Sequence, residues 1–116
     1  MADDEPRLAE LIAMVEGFNA ALMGRILDLQ PDVVGIPEDL GMQHTPMLSP
    51  AQFRRYIKPS YQRLTEPCRR AGILIHEHCD GCVMDLAEDL VECGGNVLNL
   101  QDRVNGLDNI RRALKG

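Results

Sequence analysis

Hydrophobic positions recur along residues 6–29 at steps of three and four: Leu8, Leu11, Ile12, Val15, Phe18, Leu22, Ile26 and Leu29. That spacing predicts a helix with one apolar stripe. Asp3, Asp4 and Glu5 precede it, where carboxylates meet the positive end of the helix dipole. Pro6 suits a first turn, because the N–H it lacks would have no partner there. Gly17 and Gly24 weaken the helix and are where it would break, and Gln30-Pro31 ends it.

The pattern then changes to short apolar runs. Residues 32–37, 73–79 and 96–101 each predict a strand, and amphipathic stretches separate them. Ser49-Pro50-Ala51-Gln52 reads as a capping box with proline at the first helical position. Phe53, Ile57, Tyr61, Leu64 and Cys68 line one face of the helix it opens, which Pro59 should kink or split near Lys58. Arg69 and Arg70 favour the negative end of its dipole, and Gly72 suits the position just past it. Val83, Leu86, Ala87 and Leu90 define a third helix over 82–93, stopped by Gly94-Gly95. A last helix starts near Asn105 and buries Leu107, Ile110 and Leu114. The order α-βα-βα-βα predicts a parallel sheet with right-handed crossovers, all within one domain spanning 1–116.

Composition narrows the class of partner. The chain has 116 residues, 45% hydrophobic and 26% charged, as in a soluble globular protein. A net charge of −6 argues against nucleic acid or an anionic membrane surface as a main partner. Arg54, Arg55, Lys58, Arg63, Arg69 and Arg70 cluster, but at helical spacing they read as a solvated face. No apolar run approaches the roughly 20 residues of a membrane helix, and the acidic start lacks a signal-peptide pattern. The expected location is cytoplasmic, with Cys68, Cys79, Cys82 and Cys93 as free thiols.

All three strands end in polar residues. In parallel α/β sheets, ligands bind beyond the carboxyl ends of the strands. The substrate-binding candidates are therefore Glu38, Asp39, His78, Asp80, Asn99 and Gln101. Period-two alternation puts Leu74, His76, His78 and Asp80 on one side of the second strand and Ile73, Ile75, Glu77 and Cys79 on the other. Glu38 and Asp39 are adjacent, so at most one faces a pocket. His76 and His78, about 7 Å apart on one face, present two imidazoles to a metal or a carboxylated substrate. The plainer alternatives are a strand-end histidine bonded to a neighbour, and amides of Asn99 and Gln101 that only satisfy loop backbone. Cys79-Asp-Gly-Cys82 has the spacing of a thioredoxin-like redox motif. No proline follows Pro67 to face that motif, and no second cysteine pair exists for a zinc ribbon.

Taken together these segments resemble the uroporphyrinogen decarboxylase superfamily, which comprises tetrapyrrole decarboxylases and corrinoid-linked methyltransferases on a TIM barrel. The resemblance rests on Asp32-Val-Val with Glu38-Asp-Leu-Gly41, and on Met47-Leu-Ser-Pro-Ala-Gln-Phe53 with Ile57-Lys-Pro59. It continues through His78-Cys-Asp-Gly81, Leu90-Val-Glu-Cys-Gly94 and Asn99-Leu-Gln-Asp-Arg-Val-Asn-Gly106. It implies a partial TIM (β/α)8 barrel: about three βα units with parallel strands, preceded by a long helix, from around the fourth to sixth units. Asp39 looks like the family's polar strand-end residue lining the substrate cleft. His78-Cys-Asp-Gly81 looks like the family's His-x-Asp-Gly or His-x-Cys-Gly segment, whose His and Cys bind zinc in methyltransferase members. Here Asp80 stands where that cysteine would be, and Cys79 comes one position early.

The family's arginine-bearing amino-terminal segment and its catalytic aspartate have no counterpart in the sequence. The resemblance therefore implies a fragment of a decarboxylase-family enzyme, inactive alone, that needs no cofactor. Its partners would be a small-molecule substrate, tetrapyrrole or corrinoid-linked, and the remainder of the barrel or another chain to close it. One alternative is a methyltransferase relative holding zinc through His76, His78 and Cys79. Another is a non-catalytic α/β module that pairs through its open edge.

Overall fold

A computed structural model describes residues 5–114 of the chain; Asp3 and Asp4, expected to face the first helix dipole, lie outside that range. Helix α1 spans Arg7–Leu27 and continues through Gly17 and Gly24 without a break. It packs against helix α3 (Lys58–Ala71) along the line of Leu8, Ile12, Asn19 and Met23. None of the predicted stripe is fully buried: Leu8, Ile12 and Ile26 are half-buried, and Leu11, Val15, Phe18, Leu22 and Leu29 are exposed, Phe18 at 70%. A stripe this wide needs neighbours on two sides; α3 and, at Met23, Ile26 and Leu27, the cluster of Val34, Ile36 and Ile75 cover one, and the other stays exposed.

The capping box before helix α2 (Pro50–Tyr56) forms as predicted: the Ser49 hydroxyl accepts from the Gln52 N–H, and the Gln52 side chain accepts from the Ser49 N–H. Pro59 divides the long amphipathic stretch at Ile57, so α2 and α3 are separate helices. Gly72, at φ 72°, closes α3 in the left-handed conformation. The basic residues here do more than face solvent. Arg54 Nε lies 2.9 Å from both oxygens of buried Asp89, and Lys58 Nζ 2.7 Å from one of them. These bonds tie α2 and α3 to helix α4 (Ala87–Glu92).

Strands β1 (Val33–Glu38), β2 (Leu74–Cys79) and β3 (Val97–Leu100) form one sheet in the order β1-β2-β3, parallel throughout. Gly35, His76 and Val97 stand in register, as do Pro37, His78 and Asn99. Val34, Ile36, Ile75, Cys79 and Leu100 are buried on the helix side. They join two clusters there, one around Phe53, Val83, Leu86 and Leu90, the other around Met23 and Cys68. Val33, Leu74 and Val97 lie on the opposite face, half exposed, with no layer over them among the described residues.

Two segments depart from expectation. The third helix does not start at Cys82; a 3₁₀ turn (Met84–Leu86) precedes the short α4. The N–H groups of Cys82 and Val83 are already taken, by the Met42 carbonyl and the Asn105 side chain, so the chain there is held in a loop. The last helix is two pieces, α5 (Asp102–Asn105) and α6 (Leu107–Ala113), parted by Gly106 at φ 75°. No helix among the described residues is long and apolar enough to cross a membrane.

Candidate functional site

The loops after the first two strands are joined by backbone bonds. Gly41 N–H donates to the Asp80 carbonyl at 3.1 Å, and Cys82 N–H to the Met42 carbonyl at 2.8 Å. The chains pass so closely that a Cβ on Gly41 would sit 2.4 Å from the Gly81 carbonyl carbon, and Gly81 itself has φ 79°. Only glycine fits both positions. Asn105, 2% exposed, then joins the second loop to the third. Its Oδ1 accepts from Val83 N–H at 2.9 Å, and its Nδ2 donates to the carbonyls of Gly81 (2.8 Å) and Gln101 (2.9 Å). The Gln101 side chain accepts from Gly81 N–H at 3.1 Å.

Four of the expected substrate-binding residues project from this shelf on the open face of the sheet. His78 Nδ1 lies 2.7 Å from Asn99 Oδ1, and its Nε2 3.5 Å from Asp80 Oδ1. Asp39 completes the group: one ligand-competent atom each from Asp39, His78 and Asp80 lies within 4.8 Å of the others. Among the described residues no lysine or arginine is bonded to either carboxylate. The mouth is therefore rich in acceptors, suited to N–H donors or a cation rather than a bare anion.

The other two candidates are placed differently. Gln101 spends its side-chain oxygen bracing Gly81, the plainer of the two expected roles. Glu38 falls on the helix side of the sheet, because the pleat sends it opposite to Pro37 and Asp39. There it is hydrogen-bonded to the Tyr61 phenol, whose pKa is raised by burial and then by this carboxylate. His76 shares the open face but stands two residues below the mouth, between Gly35 and Val97.

The alternative zinc set of His76, His78 and Cys79 does not assemble. Cys79 is fully buried on the helix side, where its sulfur accepts from Leu40 N–H at 3.2 Å. Burial raises its thiol pKa, which disfavours the thiolate a metal needs.

Sequence reasoning missed two residues. Asn105 looked like the start of a helix, and its only signal was the following glycine. Glu77 occupies an inward position between Ile75 and Cys79, 2% exposed, and one of its oxygens, Oε1, has no hydrogen-bond partner among the described residues. Burial, and then the charge of Glu38, pushes its pKa up to about 7. A charged residue at a buried strand position was the available sign.

Known proteins give the same direction. The sequence model of the family described as "Uroporphyrinogen decarboxylase (URO-D)" matches residues 1–115. A uroporphyrinogen decarboxylase from Thermus thermophilus is 47% identical over 53 residues, which is 46% of this chain and 15% of that protein. The enzyme of a second strain is 45% identical over 53 residues, with the same shares. The match thus spans far less than two thirds of either relative. No solved structure matches. With a family match over nearly its whole length, the chain belongs to the uroporphyrinogen decarboxylase family.

Proposed function

We propose that this chain is a section of a (β/α)8 barrel in a cytoplasmic decarboxylase-family enzyme and supplies part of the wall of its substrate mouth. The observation that carries this reading is the convergence of Asp39, His78, Asp80 and Asn99 at the carboxyl ends of three parallel strands, on the face a closed barrel would enclose. The reaction is that named for the Thermus relatives, decarboxylation of uroporphyrinogen. The carboxylate of each acetate side chain leaves as carbon dioxide as its bond to the methylene breaks, and the methylene takes up a proton to become a methyl group. Asp39 and Asp80 are acceptors for the pyrrole N–H groups, and Asn99 and Gln101 fix the rest of the mouth.

Three strands cannot close a ring, and no arginine among the described residues is bonded at this mouth to receive substrate carboxylates. Catalysis therefore requires further barrel units. A chimera tests the proposal: the barrel section of a Thermus thermophilus decarboxylase that contains the 53-residue match is replaced by this sequence. Decarboxylation by the folded chimera, reduced by Asp39→Ala, is the expected result. A folded chimera with no activity, or turnover by the 116-residue chain alone, refutes it. The methyltransferase alternative lacks a thiolate at this mouth, since Cys79 points into the core.

A further inference from the structure

We propose that the cavity between α1, α3 and the end of β1 binds a small organic cation, a primary ammonium on an apolar chain of about six carbons. The cavity lies on the opposite face of the sheet from the strand-end mouth, so the inference does not depend on the function proposed for that mouth.

The walls and the polar end differ in kind. Leu8, Ile12 and Val15 of α1, with Ile57 and Leu64 on the α3 side, enclose about 270 Å³. A cavity of about 150 Å³ holds benzene, so this one has room for six carbons and a head group. Glu38 and Tyr61 bring polar atoms into the apolar space, joined by a hydrogen bond from the phenol to the carboxylate. The Tyr61 ring stands edge-on against buried Phe53, with 6.0 Å between centroids, which fixes its hydroxyl. Glu16 also lines the cavity, but Arg63 and Ser60 already occupy its carboxylate.

Positive charge is what the polar end lacks. Among the described residues no lysine or arginine is bonded to Glu38. Beside it stands Glu77, 2% exposed, with Oε2 against Gly95 and Oε1 without a hydrogen-bond partner among the described residues. Ile36 pairs with Glu77 and Glu38 with Cys79, so the two carboxylates are diagonal neighbours on the helix side, about 7–8 Å apart at Cα. Glu77 is faced by Glu38 from β1, Tyr61 from α3, Cys79 from its own strand and Cys93 from the end of α4. None of these carries a positive charge. Two carboxylates this close in a low-dielectric interior repel each other. An ammonium at Glu38 removes that repulsion, and its chain fills the space between the apolar walls. A neutral ligand leaves the repulsion in place, and an anion adds to it.

The chain has no tryptophan, and both of its tyrosines, Tyr56 and Tyr61, line the cavity, so tyrosine fluorescence reports occupancy. Titration of the full chain at pH 8 with hexylammonium should give a saturable change with a dissociation constant below about 1 mM. Hexanol should bind about tenfold more weakly or worse, and hexanoate not at all. Glu38→Gln keeps an acceptor for Tyr61 but not the charge, and should bring hexylammonium down to the level of hexanol. The parent should bind hexylammonium more tightly at pH 8 than at about pH 5.5, as Glu77 ionises, and Glu77→Gln should remove that rise. Val15→Phe fills the cavity from an exposed wall position and should block both ligands, whereas Asp108→Asn on α6 changes nothing. Circular dichroism verifies that each variant folds. Equal binding of hexanol and hexylammonium would make the cavity an apolar surface awaiting another layer of the barrel, and would overturn the proposal. So would unchanged hexylammonium binding in Glu38→Gln, or no saturable response below about 10 mM.

Discussion

Glu77 gives the sharpest test of the packing between sheet and helices. Its carboxyl is raised from an ordinary 4.5 to about 7, by burial first and by the negative charge of Glu38 second. An acid whose folded pKa lies above its unfolded one binds its proton more tightly when folded. Its contribution to stability is therefore fully present below pH 4.5 and is lost as the pH rises through about 7. A separation of roughly 2.5 units at 1.36 kcal/mol each makes the loss about 3 kcal/mol by pH 8. Glu77→Gln cannot ionise, so it should match the parent protein near pH 4.5 and exceed it by up to about 3 kcal/mol at pH 8. Urea unfolding followed by circular dichroism reads this as a midpoint higher by about 1–2 M at pH 8, with little difference at pH 4.5. Glu38→Gln should recover a smaller part of the same loss, because Glu38 is the secondary cause. Parallel pH profiles for the parent and Glu77→Gln would refute the argument, since Glu77 would then be solvated or paired.

Asn105→Ala should cost about 3 kcal/mol in the same urea assay, because it strands the Val83 N–H and the Gly81 and Gln101 carbonyls around a buried site. Gly72 and Gly81 form a matched pair at similar positive φ. Gly72→Ala, with nothing within 4 Å of the new methyl, should cost only about 1 kcal/mol. Gly81→Ala should cost well over 2 kcal/mol, because its methyl would sit 2.3 Å from Gly41 backbone; equal losses in thermal unfolding would contradict the close loop crossing. Asp89→Ala should destabilise by about 2 kcal/mol, because half-buried Lys58 keeps only Glu92 and Arg54 loses its paired carboxylate. Burial raises the pKa of Asp89, but bonds from Arg54 and Lys58 outweigh this and lower it overall. The stability from Asp89 is therefore present above its unfolded pKa and lost as the pH falls through the lower folded one. An acid limb that stays unchanged in Asp89→Ala would count against the pairing.

The strands and most helices were legible because apolar spacing, the Ser49 capping box, Pro59 and Gly72 are local signals. The Asn105 brace was not, since its partners Val83 and Gly81 lie more than twenty residues away in the chain. The exposure of the outward half of the α1 stripe was not legible for a related reason. Periodicity shows that Phe18 and Leu22 are apolar on one side, but only the surrounding layers decide whether that side is covered. The mouth shows how much a single position matters. His78 and Asp80 share a face because they are two apart in an extended chain, and Cys79 between them must take the other. A cysteine at position 80 would have stood beside the imidazole and Asp39. One residue earlier, the same side chain enters an apolar cluster with Val83 and Leu86. Burial there raises its pKa and makes it a structural thiol. The thiol thus becomes core and the carboxylate of Asp80 takes its place at the mouth, so the side chains of Asp39, His78, Asp80 and Asn99 offer a ligand only oxygen and nitrogen atoms.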